Sequence, residues 1–203
     1  MINNNPFASW SQSSREPTSG SSTPPSIYGA LPYPSNPQPL VAAPIGGATI
    51  NFAFTNFNPS ILNCTFVNRS SQPIYSICTD TSPIFTVVKN PEGRSLALIE
   101  WHTRPTVELR GVFGKQEARR WLAMSPDMRS RTMTIGSTCY VWAPAGNFIC
   151  LYATAPSAPQ VLARIGKTPR MITLEMTQTA MDLRLLEPCV VAAVLLQSGR
   201  NID

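Results

Sequence analysis

The single histidine and the five cysteines are the residues on which nucleophilic or metal chemistry in this chain would depend. A Ser–His–Asp or Cys–His site would have to use His102, which follows Trp101 at a predicted strand end and has no Gly-x-Ser-x-Gly motif to accompany it. The cysteines lack Cys-x-x-Cys spacing, whereas structural zinc needs four ligands. We therefore predict no catalytic residue, no metal site and no cofactor. A hydrolase that pairs His102 with a cysteine is kept as the least favoured alternative.

Basic side chains are concentrated in one stretch of the sequence. The chain has 16 Lys and Arg against 11 Asp and Glu, a net charge of +5, and residues 104–131 hold seven of the basic residues and three of the acidic ones. Such a stretch could meet an anionic phospholipid surface, and the candidate contacts are Arg119, Arg120, Arg129 and Arg131. The alternative is a solvated face with scattered ion pairs. Specific nucleic-acid binding is not predicted, because such surfaces are normally more basic and interleaved with aromatic residues.

Short apolar segments separated by turn residues fill the chain from about residue 49 onward. Several of them alternate, as Val107 and Leu109 do with the polar residues beside them. This period of two is typical of antiparallel strands with one face in the core and one in water. The predicted strands are 49–55, 61–68, 73–79, 84–89, 95–101, 106–113, 131–136, 138–143, 148–154, 160–165 and 170–177, with a short helix at about 115–124. Many short strands with regular turns indicate a barrel or a sandwich.

The most informative segment is the apolar stretch near the C-terminus. Residues 190–196 are apolar in every direction around a helical wheel, so a helix formed by them must be buried on all sides. Pro188 suits the first turn of such a helix, and Gly199 suits its end. We predict a mainly β fold, an antiparallel closed barrel of about 11–12 short strands around a C-terminal hydrophobic helix at about 188–198. Valine-rich runs also favour strands, so a further, central strand is the alternative.

The first 45 residues differ in composition from the rest. They contain nine of the 20 prolines, nine serines and only two charged residues. A segment of this kind cannot bury enough apolar surface to offset its ordering entropy, so we predict a disordered tail at 1–45 and one folded domain at 46–203. Residues 34–37 match a Pro-x-x-Pro pattern, and through it the proline-rich tail could bind protein partners weakly.

Three features of the sequence bear on its location. The longest apolar run has eight residues, Cys189–Leu196, whereas a membrane-spanning helix needs about 20. No signal peptide pattern is visible, and an odd number of dispersed cysteines suits a reducing compartment better than a disulfide framework. We therefore expect a cytoplasmic protein without a transmembrane segment, one that could be peripheral to a membrane.

A series of short motifs leads into the apolar C-terminal segment. They are Pro73–Thr79, Ile99-Glu100-Trp101, Val107–Gly111, Trp121-Leu122, Ser130-Arg131 and Cys139–Trp142. Their order resembles a fungal (basidiomycete) domain family of unassigned function, which is similar to the tubby C-terminal-like fold of tubby proteins, phospholipid scramblases and LURP-one-related proteins. The resemblance covers about residues 50–200 and implies a closed barrel around a C-terminal hydrophobic helix.

The resemblance also implies a class of ligand. Tubby-like proteins bind phosphoinositides and scramblases act on membranes, but the motifs by which they do so cannot be matched to residues of this chain. Fold analogy alone does not establish function. Our leading hypothesis is therefore a non-catalytic binding or scaffold domain of the cell interior whose partner is unknown. The alternative is a module that binds phosphoinositides or another anionic membrane surface.

Overall fold

The computed structural model describes residues 45, 48–80, 82, 84–154, 160–168 and 171–203. These residues form thirteen β-strands and three helices. The strands are β1 (Thr49–Thr55), β2 (Cys64–Asn68), β3 (Pro73–Thr79), β4 (Phe85–Lys89), β5 (Ser95–Glu100), β6 (Thr106–Leu109), β7 (Phe113–Glu117), β8 (Leu122–Met124), β9 (Arg131–Ile135), β10 (Thr138–Ala145), β11 (Phe148–Ala153), β12 (Val161–Lys167) and β13 (Ile172–Thr177). The helices are α1 (Ala118–Trp121), α2 (Gln178–Asp182) and α3 (Leu186–Gln197).

All thirteen strands belong to one antiparallel sheet. Its order is β7-β6-β5-β4-β3-β2-β1-β13-β12-β11-β10-β9-β8. The pairing of β1 with β13, in which Thr49 lies opposite Thr177, joins the half made of β1–β7 to the half made of β8–β13. Because twist accumulates from strand to strand, an open sheet of this width curls. Its apolar face then surrounds α3.

The predicted closed barrel is wrong in one respect, because β7 and β8 end the sheet and are not hydrogen-bonded to each other. The chain passes between these two strands through the single turn of α1. The Ala118 backbone N–H donates to the carbonyl oxygen of Pro105 at 2.8 Å, and the Trp121 ring lies 5.0 Å from that of Phe113. Side-chain packing by α1 therefore takes the place of the ladder that would have closed the barrel.

Helix α3 occupies the core. Every residue from Pro188 to Gln197 is buried, and those from Cys189 to Leu196 are at most 1% exposed. The same hydrophobic cluster contains inward side chains from both halves of the sheet, among them Ile99 and Trp142. Gly199 follows with a φ of +69°, in the left-handed region that ends helices. The predicted hydrophobic helix is confirmed, and the alternative of a central strand is wrong.

The largest differences from the predicted elements lie around α1. Gly111, at φ +78°, and a hydrogen bond of 3.0 Å from the Val112 N–H to the Leu109 carbonyl oxygen turn the chain after β6. The chain therefore returns as β7 instead of continuing one strand to residue 113. The helix predicted at 115–124 is therefore shorter than expected. Its first residues belong to β7, its last residues belong to β8, and only Ala118–Trp121 is helical.

The predicted tail at 1–45 lies outside the described residues except for Ile45. This side chain is half-buried and packs against a small apolar cluster formed by Ala145, Cys150 and Val161. Contact with the domain therefore extends one residue beyond the predicted boundary at residue 46.

Candidate functional site

Two arginines pair with one carboxylate near α1, and the charge of a third also acts on it. Glu117, the last residue of β7, accepts a hydrogen bond from Arg119 Nε at 2.7 Å, and Arg104 Nη1 lies 3.9 Å from its other oxygen. The hydrogen bond from Arg119, followed by the charges of Arg119, Arg104 and Arg120, holds the pKa of Glu117 below its usual range. Arg104, Arg119 and Arg120 are here called the arginine surface. Their three positive charges and the negative charge of ionised Glu117 together give a local net charge of +2.

The local sequence explains why these arginines face solvent. In the single turn of α1, Ala118 and Trp121 are buried, so the two residues between them point outward. The hydrogen bond from Ala118 to Pro105 fixes this turn beside the loop that carries Arg104. The side chains of Arg104 and Arg119 are 71% and 47% exposed. Burial of the apolar flanks of α1 thus leaves the arginines of this turn facing solvent.

Arg129 belongs to a separate loop, between β8 and β9. There Asp127 accepts hydrogen bonds from Ser125 Oγ at 2.6 Å and from the Arg129 backbone N–H at 3.1 Å. The Ser125 hydrogen bond, the Arg129 N–H and then the Arg129 charge lower the pKa of Asp127. Arg129 is exposed, and its charge is among the influences on the pKa of Asp127 and not among those on Glu117.

Arg131, the fourth predicted phospholipid contact, is fully buried. Its Nη1 and Nη2 donate to the two carboxylate oxygens of Asp203 at 2.9 and 2.6 Å, and Nη1 also donates to the carbonyl oxygen of Leu122 at 2.8 Å. A side chain in this position cannot reach a head group while the domain is folded. The structure therefore separates Arg131 from the other predicted contacts and gives it a place in the core.

His102 lies beside a carboxylate that already has other partners. Its Nε2 is 3.4 Å from Glu100 Oε2, which accepts hydrogen bonds from Lys115 Nζ at 2.6 Å and from Thr106 Oγ1 at 3.3 Å. The Lys115 hydrogen bond is the largest influence that lowers the pKa of Glu100, and burial opposes it. The His102 ring also packs edge-on against Phe85. Among the described residues, the contacts of His102 are thus a carboxylate and a phenyl ring, and no thiol is among them.

The five cysteines are all free, and three of them are buried. Burial raises the pKa of the Cys64 thiol to about 12 and that of Cys150 to about 11, and it also raises the pKa of Cys189. A thiolate is the nucleophilic form of cysteine, so a raised pKa makes these three thiols unreactive. Cys78 and Cys139 are exposed. Within the described part of the chain, no three His, Cys, Asp or Glu residues are grouped closely enough to hold a metal ion.

Residues 59–202 match the model of DUF6593, a family of unknown function. The chain belongs to the DUF6593 family. Among solved structures, the chain is similar to the X-ray structure of a protein from Arabidopsis thaliana, at 10% identity and a TM-score of 0.40, over 72% of this chain and 91% of that chain. No curated protein matches the chain. The family has no assigned function, so membership in it does not assign a function to this chain.

The DUF6593 match covers β2–β13 and all three helices, and therefore includes the arginine surface, His102 and every cysteine. It also includes a surface depression of about 370 Å³ at the β6–β7 turn, lined by Glu108, Arg110, Gly111, Val112, Phe113 and Gly114. Among the described residues, no helix has the length and apolar character needed to cross a bilayer.

Two members of the site were not predicted from sequence. Arg104 is one of the seven basic residues of 104–131 but not one of the four predicted contacts, and Glu117 is the carboxylate that brings Arg104 and Arg119 together. The signal was the placement of Glu117 two residues before Arg119. The link to Arg104 depends on the contact between α1 and the β5–β6 loop, which adjacency in sequence does not reveal.

Proposed function

We propose that the chain is a non-catalytic binding or scaffold domain that acts in the cytoplasm. The observation that supports it is the burial of three of the five cysteines, together with the absence of a thiol among the described contacts of His102. Cys64, Cys150 and Cys189 are buried with raised thiol pKa values, and His102 shares Glu100 with Lys115. A buried, protonated thiol is a poor nucleophile, and a histidine held by a carboxylate still needs a nucleophile within hydrogen-bond reach before it can act as a base. The cytoplasmic location is supported by the five free cysteines.

A broad screen of the purified full chain against hydrolase and transferase substrates tests the binding proposal. We expect no turnover above that of a heat-treated sample. The matched variants are His102→Ala, Cys78→Ala and Cys139→Ala, which remove the exposed groups that could act. Turnover that is lost in His102→Ala, while the variant keeps the melting temperature of the parent, would show an enzyme and overturn the proposal.

A second candidate function, binding to an anionic phospholipid surface, is favoured by the arginine surface. Three guanidinium groups around one carboxylate leave a local excess of two positive charges on solvent-facing side chains. Each basic residue near an anionic leaflet contributes about 1 kcal/mol. Arg129 could add to this attraction from the neighbouring loop. Arg131 is left out of the proposed contact, since its charge is paired with Asp203 inside the domain.

Sedimentation with liposomes tests this candidate. We expect binding to vesicles that contain phosphatidylserine or phosphoinositides, no binding to phosphatidylcholine alone, and weakening as salt rises. Arg119→Glu/Arg120→Glu should abolish sedimentation. The matched control is Arg69→Glu/Arg94→Glu, which makes the same charge change in the β2–β3 and β4–β5 turns at the opposite end of the sheet. Equal loss in both variants would indicate a net-charge effect, and no loss in the first would end the candidate.

We also propose kinship with the tubby C-terminal-like fold and a fungal origin of the sequence. The support for the fold is a C-terminal helix enclosed by a single antiparallel sheet, together with the motif order noted above. An experimental structure tests it. Strand order and helix direction that match those of tubby-like domains would support the kinship, and a different order would exclude it.

A further inference from the structure

The outer face of β10–β12 is mostly apolar, and its polar exception is Arg164 of β12, whose guanidinium lies 4.3 Å over the Phe148 ring. Ile149 and Leu151 of β11 belong to the main core, so the residues at alternating positions of this strand point outward. The outward side chains of the three strands include Ala143, Ala145, Phe148, Cys150, Tyr152 and Val161. Polar residues normally occupy the solvated face of such a sheet. Yet Ala145, Cys150 and Val161 are at most 4% exposed, so this face is covered.

Ile45 supplies part of the cover. It packs against the cluster of Ala145, Cys150 and Val161, although it precedes β1 in the chain and β13 lies between β1 and β12. Ile45 lies four positions before Thr49, and four extended residues span about 14 Å. Strands lie about 4.8 Å apart, so this length suffices to cross β13 and reach β12 and β11. Ile45 therefore lies across β13 from β1, on the outer face of β10–β12.

The sequence that precedes Ile45 is apolar as well: Leu40, Val41, Ala42, Ala43 and Pro44. We propose that the outer face of β10–β12 is a docking surface for this chain's own segment 40–45, of which Ile45 is the described end. Five further extended residues span about 17 Å, which is enough to cross β11 and β10. Tyr152 and Ala143, on those two strands, are half-buried and offer apolar contact there.

The covalent connection favours this occupant over a separate partner. Because Ile45 is already seated on the face, the residues next to it are held at high effective concentration beside the remaining apolar surface. A segment of a second copy or of another protein would first have to displace Ile45. Both of those occupants are distinguished from the proposed one by the experiments below.

Cys150 is a built-in reporter of the cover. Cys150 is 1% exposed and lies in the cluster that Ile45 contacts, whereas Cys139 and Cys78 are exposed. We would treat the full chain with N-ethylmaleimide and follow each cysteine by peptide mass spectrometry. Modification of Cys150 should be much slower than that of Cys139. Cys64 and Cys189, buried in the main core, report on any loss of the whole fold.

Two variants test the segment, and a third is the control. Ile45→Asp and Leu40→Asp/Val41→Asp should each accelerate modification of Cys150 about tenfold or more by increasing local opening, with Cys64 and Cys189 unchanged. Leu31→Asp, which lies in the same proline-rich sequence outside the apolar run, should leave Cys150 as in the parent. If Leu40→Asp/Val41→Asp leaves Cys150 unchanged, residues before Ile45 do not cover this face and the proposal is overturned.

A second measurement covers the case in which a variant fails to fold. A photocrosslinking amino acid at position 42, in an otherwise unaltered chain, should form intramolecular cross-links to peptides of β10–β12. Cross-links to other strands, or to a second copy in a dilution series, would overturn the proposal. Absence of any intramolecular cross-link to β10–β12 would do the same.

Discussion

Helix α3 and the arginine surface are opposite kinds of region in one domain. The α3 residues from Cys189 to Leu196 are at most 1% exposed and contact side chains from both halves of the sheet. Arg104 and Arg119 are 71% and 47% exposed, and the carboxylate that they contact is that of Glu117. Helix α3 is held in place by burial of its apolar side chains. The arginine surface is held by weak, exposed ion pairs beside α1, whose apolar residues are buried.

This difference implies that α3 determines the stability of the domain and that the arginine surface determines what the domain binds. Burial of a Val or Leu side chain contributes about 1.5–3 kcal/mol, and α3 buries several of them. Exposed ion pairs contribute about 0–1 kcal/mol each. Substitutions in α3 should therefore decide whether the domain folds, while substitutions on the arginine surface should change what it binds and leave its fold intact.

The largest effect is expected from Val194→Asp in the middle of α3. Val194 is fully buried, so the new carboxylate would be surrounded by apolar groups. The cost should exceed about 4 kcal/mol, a large part of the total stability of a typical domain. We expect a chain without a cooperative thermal transition by circular dichroism.

Leu183→Asp is the matched control for this substitution. Leu183 precedes α3 in the connection from α2 and is 49% exposed. Its melting temperature should stay within about 2 °C of the parent. A cooperative transition of nearly normal stability in Val194→Asp would mean that α3 is not enclosed as described.

The next effect concerns the buried charge of Arg131. Asp203→Asn leaves this guanidinium in the core without its carboxylate partner. Breaking a buried pair costs about 3–5 kcal/mol, and the 42% exposure of Asp203 should reduce the cost to about 2–3 kcal/mol in urea unfolding. The double variant Arg131→Met/Asp203→Asn should regain part of the loss, since no unpaired charge stays buried. A cost below about 1 kcal/mol for Asp203→Asn would show that Arg131 is solvated without Asp203.

The sequence identifies the regular elements well where one physical requirement dominates. A helix that is apolar in all directions has one stable environment, so α3 was predictable from residues 190–196. Alternation identified strands such as β1 and β3 to the residue. Alternation does not reveal the two strands that flank α1, because Gly114–Glu117 has little apolar alternation and Leu122–Met124 is only three residues long. Both are strands because of the neighbours with which they pair.

The candidate site was less predictable, because exposed and buried arginines have the same local sequence signal. Arg129 and Arg131 are two residues apart, yet one is exposed in a loop and the other is buried against Asp203. The partner of Arg131 is 72 residues further along the chain. Only the curvature of the sheet, which brings β9 beside the C-terminal residues, decides between these roles.

The pH dependence of stability adds an effect of intermediate size from the core. Burial, followed by the charge of Cys78, raises the pKa of Cys64 from 9.0 to about 12. Above pH 9 the unfolded chain therefore loses this proton while the folded domain keeps it, so the free energy of unfolding falls as pH rises. The expected decrease is about 1 kcal/mol per pH unit for this group between pH 9 and 12.

Urea unfolding of Cys64→Ala as a function of pH measures this contribution. The variant should be less stable than the parent at pH 7, because it loses packing, but its stability should fall less steeply above pH 9. Cys139→Ala, which removes an exposed cysteine, should keep the slope of the parent. Equal slopes in all three proteins would contradict a buried, protonated Cys64 thiol.

The smallest effect on stability is expected for Arg119→Gln/Arg120→Gln on the arginine surface. Both side chains are exposed, and the helical turn that carries them is held by Ala118 and Trp121, which stay unchanged. The melting temperature should therefore move by no more than about 2 °C. Loss of the Arg119 hydrogen bond should also let the pKa of Glu117 rise toward its usual value, which is measurable by NMR titration of the side-chain carboxyl. A large fall in melting temperature would mean that these arginines hold α1 between β7 and β8, and the separation of stability from recognition would fail.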